Sequence, residues 1–285
     1  MTERQGPRET VIGGRRIRWG ERTLVMGIIN VTPDSFSGDG LLAADGDPVA
    51  LALEQARRMA FDGADLLDVG GESTRPGHER VDAAEELARV VPVIRAIHAA
   101  LPELPISVDT TRPEVAAAAL DAGAALLNDV WGVAPDAALS RLAAARGVPI
   151  VLMHNRTEAR YMNVVAEVIL DLQRAVEQAV QVGVPRDAII VDPGFGFGKT
   201  PEQNLAVLRD LAALKVLGCP ILLGTSRKST LGRILDLPAA ERVEATLATT
   251  ALAVAAGVDI VRVHDVRENV RAARVADAIV RGETE

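Results

Sequence analysis

The sequence predicts an α/β protein of one domain, a closed (β/α)8 barrel. Three observations predict it. Eight short apolar, β-branched segments recur along the 285 residues, Ala-rich stretches charged on one side alternate with them, and glycines mark where most of those stretches stop. Strands buried on both faces read as continuous apolar runs, the mark of a parallel sheet covered by helices. Eight strand–helix units in this length favour a closed barrel over an open doubly wound sheet, because α/β barrels of roughly 250 residues form a single domain.

In chain order the strands are expected at 24–29, 66–69, 106–108, 125–127, 149–153, 189–191, 220–223 and 259–263. The amphipathic helices are expected at 48–62, 82–100, 113–121, 136–146, 163–182, 201–214, 241–256 and 266–280. Gly63, Gly123, Gly147, Gly183, Gly218 and Gly257 stand where a left-handed residue closes a helix at little cost. No Pro/Gly/Ser-rich linker divides the chain. Residues 1–20 are expected as an N-terminal segment, a short strand or hairpin over 8–20 sealing the barrel floor, and residues 21–285 as the barrel.

Composition narrows the function. The chain is 48% hydrophobic but 2% aromatic, so its core is built from Ala, Val, Leu and Ile. A net charge of −8 with scattered basic residues argues against a nucleic-acid partner. The single cysteine, Cys219, suits a reducing compartment and a packing role. The start MTERQGPRET has no apolar signal region and no run reaches the ~18 apolar residues of a membrane span. The expectation is a soluble, cytoplasmic protein without a membrane partner.

The stretch VDPGFGFGKTPEQ (191–203) imitates a phosphate-binding loop. A true P-loop needs glycine five residues before its Gly-Lys-Thr glycine, and here that position is Pro193, which has no N–H to donate. Gly194, Gly196 and Gly198 also fail the dinucleotide spacing. The run reads instead as a strand end, Asp192, followed by a close-passing loop, with Lys199 and Thr200 leading into the next helix.

Barrel chemistry sits where strands end, and these ends are unusually polar. They deliver Asn30, Asp68, Asp109, Asn128 and Asp129, then Met153, His154 and Asn155, then Asp192, the run TSRKS (225–229), and Arg262 with His264. One strand-end Asp or Asn often caps a turn. So many at one end of one barrel point to a polar ligand. Phe36, Trp131, Tyr161, Phe195 and Phe197 fall in segments at the same end, which suits a flat heteroaromatic ligand, with core filling as the alternative for Phe195 and Phe197. The four histidines lack a metal-ligand spacing. His78 and His98 read as surface or packing residues, and His154 as support for the site.

Eight motifs in order carry a resemblance: MGIINVTPDSFS (26–37), DVGGESTRPG (68–77), SVDTTRPEV (107–115), LLNDV (126–130), LMHNR (152–156), DPGFGFGKT (192–200), GTSRKS (224–229) and VRVHDV (261–266). Together they resemble the dihydropteroate synthases, the folate-pathway family inhibited by sulfonamides. The resemblance implies a (β/α)8 barrel, a homodimer, and a transferase that joins 6-hydroxymethyl-7,8-dihydropterin pyrophosphate to p-aminobenzoate with Mg2+ as cofactor, giving 7,8-dihydropteroate and pyrophosphate. Carried over residue by residue, it implies pterin binding by Asp109, Asn128, Met153, Asp192, Gly224, Lys228 and Arg262. It implies p-aminobenzoate binding by Thr74, Arg75, Pro76, Phe197, Lys228 and Ser229, and pyrophosphate binding by Asn30, Arg262 and His264, with Asn30 at the metal. Asp109, Lys228, Arg262 and His264 are the expected catalytic set.

The chain departs from the family pattern at Gly38-Asp39-Gly40, where Asp-Gly-Gly is more usual, at Trp131, where a small Ser is usual, and at Thr230, where Phe is common. Two competing readings are a corrinoid-linked methyltransferase of the related pterin-binding barrels and a copy that binds pterin without turnover. The SRKS run, the ESTRP loop and the Arg262–His264 pair separate the synthase from the first, since methyl transfer has no pyrophosphate to bind.

Overall fold

The computed structural model describes residues 9–32, 47–72 and 81–282. Phe36, Thr74, Arg75, Pro76, His78 and the loop glycines Gly38, Gly40 and Gly77 lie outside the described residues. The strands are β1 (Glu9–Ile12), β2 (Arg15–Arg18), β3 (Leu24–Asn30), β4 (Leu66–Gly70), β5 (Ile106–Asp109), β6 (Leu126–Asp129), β7 (Ile150–Met153), β8 (Ile189–Asp192), β9 (Leu222–Leu223) and β10 (Ile260–Val263). The helices are α1 (Pro48–Phe61), α2 (Ala83–Ala100), α3 (Pro113–Asp121), α4 (Ala138–Arg146), α5 (Val164–Gln181), α6 (Pro201–Arg209), α7 (Ser229–Leu235), α8 (Val243–Ala256) and α9 (Val266–Arg281).

Strands β3 to β10 form one parallel sheet in the order β8-β7-β6-β5-β4-β3-β10-β9. A parallel bridge from Val191 to Ile221, just before β9, joins its two ends, and the Val191 N–H donates to the Pro220 carbonyl at 2.9 Å. The sheet is thus a barrel, as the alternation of segments predicts.

Period-2 alternation then sorts most apolar strand residues into two layers. Val25, Leu67, Val108, Leu127, Leu152, Val191 and Val261 point outward into the layer shared with the helices. Leu24, Met26, Leu66, Leu126, Val151, Ile190, Leu222 and Ile260 point inward and fill the lower barrel. Two residues further along four of the strands the same inward face turns polar: Asp68 above Leu66, Asn128 above Leu126, Asp192 above Ile190 and Arg262 above Ile260. The lower barrel is therefore a packed core and its mouth a polar cup.

The floor is covered by the antiparallel hairpin β1–β2, whose Ile12 and Ile17, with the following Trp19, pack into the inward layer. Trp19 Nε1–H donates to Thr10 Oγ1 at 2.8 Å, so the indole is buried without an orphan donor.

The six glycines expected at helix ends all have positive φ. Helix starts are capped by Asp47, Asp82, Asn163 and Thr200, and Thr200 forms a full capping box with Gln203. None of these caps is a strand-end residue, which leaves Asp68, Asp109 and Asn128 free for other work.

Two expectations change. The helix expected over 201–214 stops at Arg209, and Leu211–Leu217 forms a 3-10 helix instead. Its buried residues Leu211, Leu214 and Leu217 recur every three positions, which lines up one face of a three-residue turn and not of a 3.6-residue one. The run after β9 is not a plain loop before 241–256: it contains the extra helix α7, closed by Asp236 in the left-handed region at φ +55.

Candidate active site

Adjacent strands bring the expected residues level with one another. Asn30 pairs in register with Gly70, Gly70 with Asp109, and Asp109 with Asn128. Met153 pairs with Asp192. Arg262 reaches across this ring from the far side of the chain. Its Nε donates to Asp68 Oδ2 at 2.6 Å and one terminal nitrogen donates to Asp109 Oδ2 at 3.0 Å. Asn128 Nδ2 donates to the same Asp68 oxygen at 3.1 Å.

This network is buried and incomplete. Asp68 is 0% exposed, and Asp68 Oδ1, Asp109 Oδ1 and Ser107 Oγ are buried without a hydrogen-bond partner. Buried polar atoms left unpaired cost about 1–3 kcal/mol each, so the cup is built for a ligand or water that supplies donors. Burial, opposed by the Arg262 charge and reinforced by Asp68, pushes the Asp109 carboxyl up to about 7. Burial is also the main cause of the upward shift at Asp192, which Lys228 opposes.

Asp192 closes the other side. Its Oδ1 accepts from the Gly194 N–H at 2.7 Å, so one oxygen caps the following turn while the carboxylate stays at the mouth. Lys228 Nζ donates to the Phe195 carbonyl and lies 4.4 Å from the centre of the Phe197 ring. Burial lowers its pKa to about 8, with Asp192 pulling it back up. A Cβ on Gly224 would lie 3.8 Å from Arg262 Cβ and 3.9 Å from Lys228 Nζ, so bare backbone forms the wall between the two cations. His264 Nδ1 and Ser226 Oγ are hydrogen-bonded at 2.8 Å, and the His264 N–H donates to that same oxygen at 3.1 Å. Ser229 is exposed, at the first turn of α7.

Of the expected residues, Asp109, Asn128, Asp192, Gly224, Lys228 and Arg262 converge on the cup; Met153 ends β7 level with Asp192, and Asn30 and His264 end up at the rim. Thr74, Arg75 and Pro76 are outside the described residues. Among the described residues the aromatic expectation narrows to Phe197. Phe195 is fully buried in the outer apolar layer, and Trp131 lines a different cavity together with Asn155 and Arg156. Tyr161 stacks under Arg156 at 4.4 Å and its hydroxyl donates to the Gly198 carbonyl at 2.9 Å. Thr230 is buried and accepts from Asn204 Nδ2 at 3.2 Å, while Asn204 Oδ1 accepts from the Gly196 N–H at 2.7 Å, so this departure ties α7 to the glycine turn.

Two residues carry more than sequence reasoning assigned. Asp68 holds both Arg262 and Asn128; its position two residues after the inward Leu66 was the available signal. Lys199 does not simply lead into a helix: its amine is buried among His154, Gly194 and Phe197, and burial lowers its pKa to about 7. His154 is fully buried, and burial, then the Lys199 charge, lowers its pKa to about 3.

Known proteins are similar to this chain in sequence and in fold. A family model described as pterin binding enzyme matches residues 26–264. The dihydropteroate synthase of Clostridium beijerinckii is 48% identical over 271 residues, covering 95% of this chain and 99% of the relative. A dihydropteroate synthase of Xanthomonas albilineans solved with 4-aminobenzoic acid is 42% identical with a TM-score of 0.88, covering 95% of this chain and 98% of that one. The same organism's enzyme in complex with 7,8-dihydropteroate is 40% identical with a TM-score of 0.85, over the same shares of the two chains. A polar cup at the mouth of a parallel barrel, matched along nearly its whole length by these relatives, leaves one assignment: the chain belongs to the pterin-binding enzyme family, among its dihydropteroate synthases.

Proposed function

We propose that this chain joins 6-hydroxymethyl-7,8-dihydropterin pyrophosphate to p-aminobenzoate, giving 7,8-dihydropteroate and pyrophosphate. The observation that carries the reading is the cup itself, where buried acceptors of Asp68 and Asp109 lack donors and Asp192 stands beside Lys228. A pterin edge presents a ring N–H and an amino group side by side, which a carboxylate accepts as a fork. Asp192 takes that edge. Asn128 donates and accepts, Lys228 serves the carbonyl side, and Met153 with the Arg262 stem lines the ring.

The bond from the pterin methylene to oxygen breaks first, and its electron pair leaves with pyrophosphate. Arg262 in the cup, with His264 and Asn30 at the rim, binds that anion. Asp109 faces the methylene and offsets the positive charge that spreads into the ring. The arylamine nitrogen, neutral near pH 7, supplies the pair for the new carbon–nitrogen bond and then loses its proton. Phe197, Lys228 and Ser229 form the described part of the p-aminobenzoate pocket, with Thr74, Arg75 and Pro76 assigned to the rest.

The proposed reaction includes Mg2+ near Asn30, which ends β3 at the rim. Among the described residues no group of three or more His, Cys, Asp or Glu side chains could hold a metal. The amide oxygen of Asn30 suits an ion bound mainly through phosphate oxygens and water. When bound, Mg2+ offsets charge on the departing pyrophosphate.

A homodimer in the cytoplasm belongs to the same proposal. Leu252 on α8 and Val275 and Ile279 on α9 are 64%, 63% and 78% exposed, apolar surface that a second copy would cover. Among the described residues no helix is long and apolar enough to cross a membrane.

The test is direct: purified protein with the pterin pyrophosphate, p-aminobenzoate and Mg2+ forms dihydropteroate and pyrophosphate in equal amounts. Binding of the pterin without product would overturn the synthase reading in favour of a binding protein. Sedimentation tests the dimer, with Leu252→Glu expected to give a monomer.

A further inference from the structure

The reaction above leaves Lys199 without a task, although its amine is one of the best-satisfied groups in the protein. Nζ lies 3.0 Å from His154 Nδ1, 3.0 Å from the Gly194 carbonyl and 3.1 Å from the Phe197 carbonyl. Three acceptors match the three protons of an ammonium. His154 Nδ1 can accept only in the tautomer that carries its proton on Nε2. That nitrogen lies 3.3 Å from Asp171 Oδ2, outside good hydrogen-bond alignment, and Asp171 is itself held by Arg156 at 2.6 Å.

Helix α6 does not need this lysine, because Thr200 and Gln203 already cap it. What needs it is the turn over 194–198. Gly194 and Gly198 run at φ +67 and +53 and pass so close to the end of β7 that a Cβ on Gly194 would lie 1.8 Å from the His154 carbonyl. The same turn presents the Phe195 carbonyl to Lys228 and the Phe197 ring 4.4 Å from the Lys228 amine.

We propose that Lys199 is a positioning residue: by tying the Gly194 and Phe197 carbonyls to His154, it holds the 194–198 turn in the shape that aims Lys228 and Phe197 at the arylamine. The kinetic consequence rests on the synthase reading; the anchoring does not.

Lys199→Met keeps an unbranched side chain that ends one atom short of the amine and removes all three donors. Amide hydrogen exchange over 194–198 is measured without substrates, the pterin pyrophosphate is titrated calorimetrically without p-aminobenzoate, and KM for p-aminobenzoate is measured at saturating pterin pyrophosphate. Losing these hydrogen bonds is expected to speed exchange of those amides about tenfold or more and to raise KM for p-aminobenzoate about tenfold, at least about fivefold beyond any change in pterin affinity.

Unchanged exchange would overturn the proposal whether or not the wild-type protein turns over. Equal losses for both substrates would overturn the positioning role. Faster exchange in a chain whose wild type forms no dihydropteroate would retain the anchoring and sink the synthase reading. If Lys199→Met does not fold, Lys199→Arg, which keeps the charge on a bulkier head, is expected to show the same split in smaller measure, and its absence there overturns the proposal.

Discussion

Replacing Asp68 with asparagine removes one negative charge from the deepest part of the site while keeping its shape. In the native protein one fully buried oxygen, Asp68 Oδ2, accepts from Arg262 at 2.6 Å and from Asn128 at 3.1 Å. An amide keeps at most one good acceptor there and leaves Arg262 paired chiefly with Asp109. Weakening a buried ion pair costs up to 3–5 kcal/mol and a charge-assisted hydrogen bond about 1.5–3, so Asp68→Asn is expected to cost about 3 kcal/mol. For a domain of this size that lowers Tm by roughly 6–12 °C. Circular dichroism melts read it. A second readout follows from sign: the Asp68 charge raises the Asp109 pKa and Arg262 lowers it. Losing the first and freeing the second both move Asp109 below its native value of about 7. Carboxyl NMR titration reads that shift. A Tm within roughly 2 °C of wild type, or an Asp109 pKa that rises, would refute the network as described.

Three further outcomes are expected. Because Asp109 has a pKa of about 7, it is largely protonated in the free protein at pH 6. If the ligand selects the carboxylate, pterin binding releases a proton at pH 6 and almost none at pH 8.5, seen as a buffer-dependent binding enthalpy that Asp109→Asn abolishes; equal enthalpies in all buffers at pH 6 would contradict this. Gly194→Ala places a Cβ against the His154 carbonyl at positive φ, and is expected to cost about 4 kcal/mol or more in denaturant melts. Thr200→Ala removes the hydroxyl of the capping box and is expected to cost only about 1 kcal/mol, since the cap sits at the surface end of α6.

Much of the architecture was legible because its causes are local. A strand buried on both faces must be apolar throughout, and a glycine at a helix end relieves a left-handed residue wherever the chain lies. The break after Arg209 was harder to read, because leucines three apart fit a 3-10 turn and the start of an α-helix equally well in a short window. Helix α7 escaped for another reason: at seven residues, with Lys228 before it and no side-chain cap, it gives almost no periodic signal.

The site divides along the same line. Which residues end the strands is a property of the sequence, and so is their inward register, since Leu66 and Asp68, Ile190 and Asp192, or Ile260 and Arg262 alternate at period two. Their partners are not. Arg262 meets Asp68 across 194 positions and Asp109 across 153, contacts that exist only once β10 has paired with β3 and the barrel has closed. Likewise the run Gly198-Lys199-Thr200 can be excluded as a phosphate loop from Pro193 alone. That Lys199 turns back into the protein to meet His154 depends on β7 and β8 lying side by side, with Met153 paired to Asp192. Alternation and strand-end chemistry are short-range, so a barrel with a polar mouth can be read along the chain; which charges face each other there follows from folding, because pairing energies depend on distances that only closure creates.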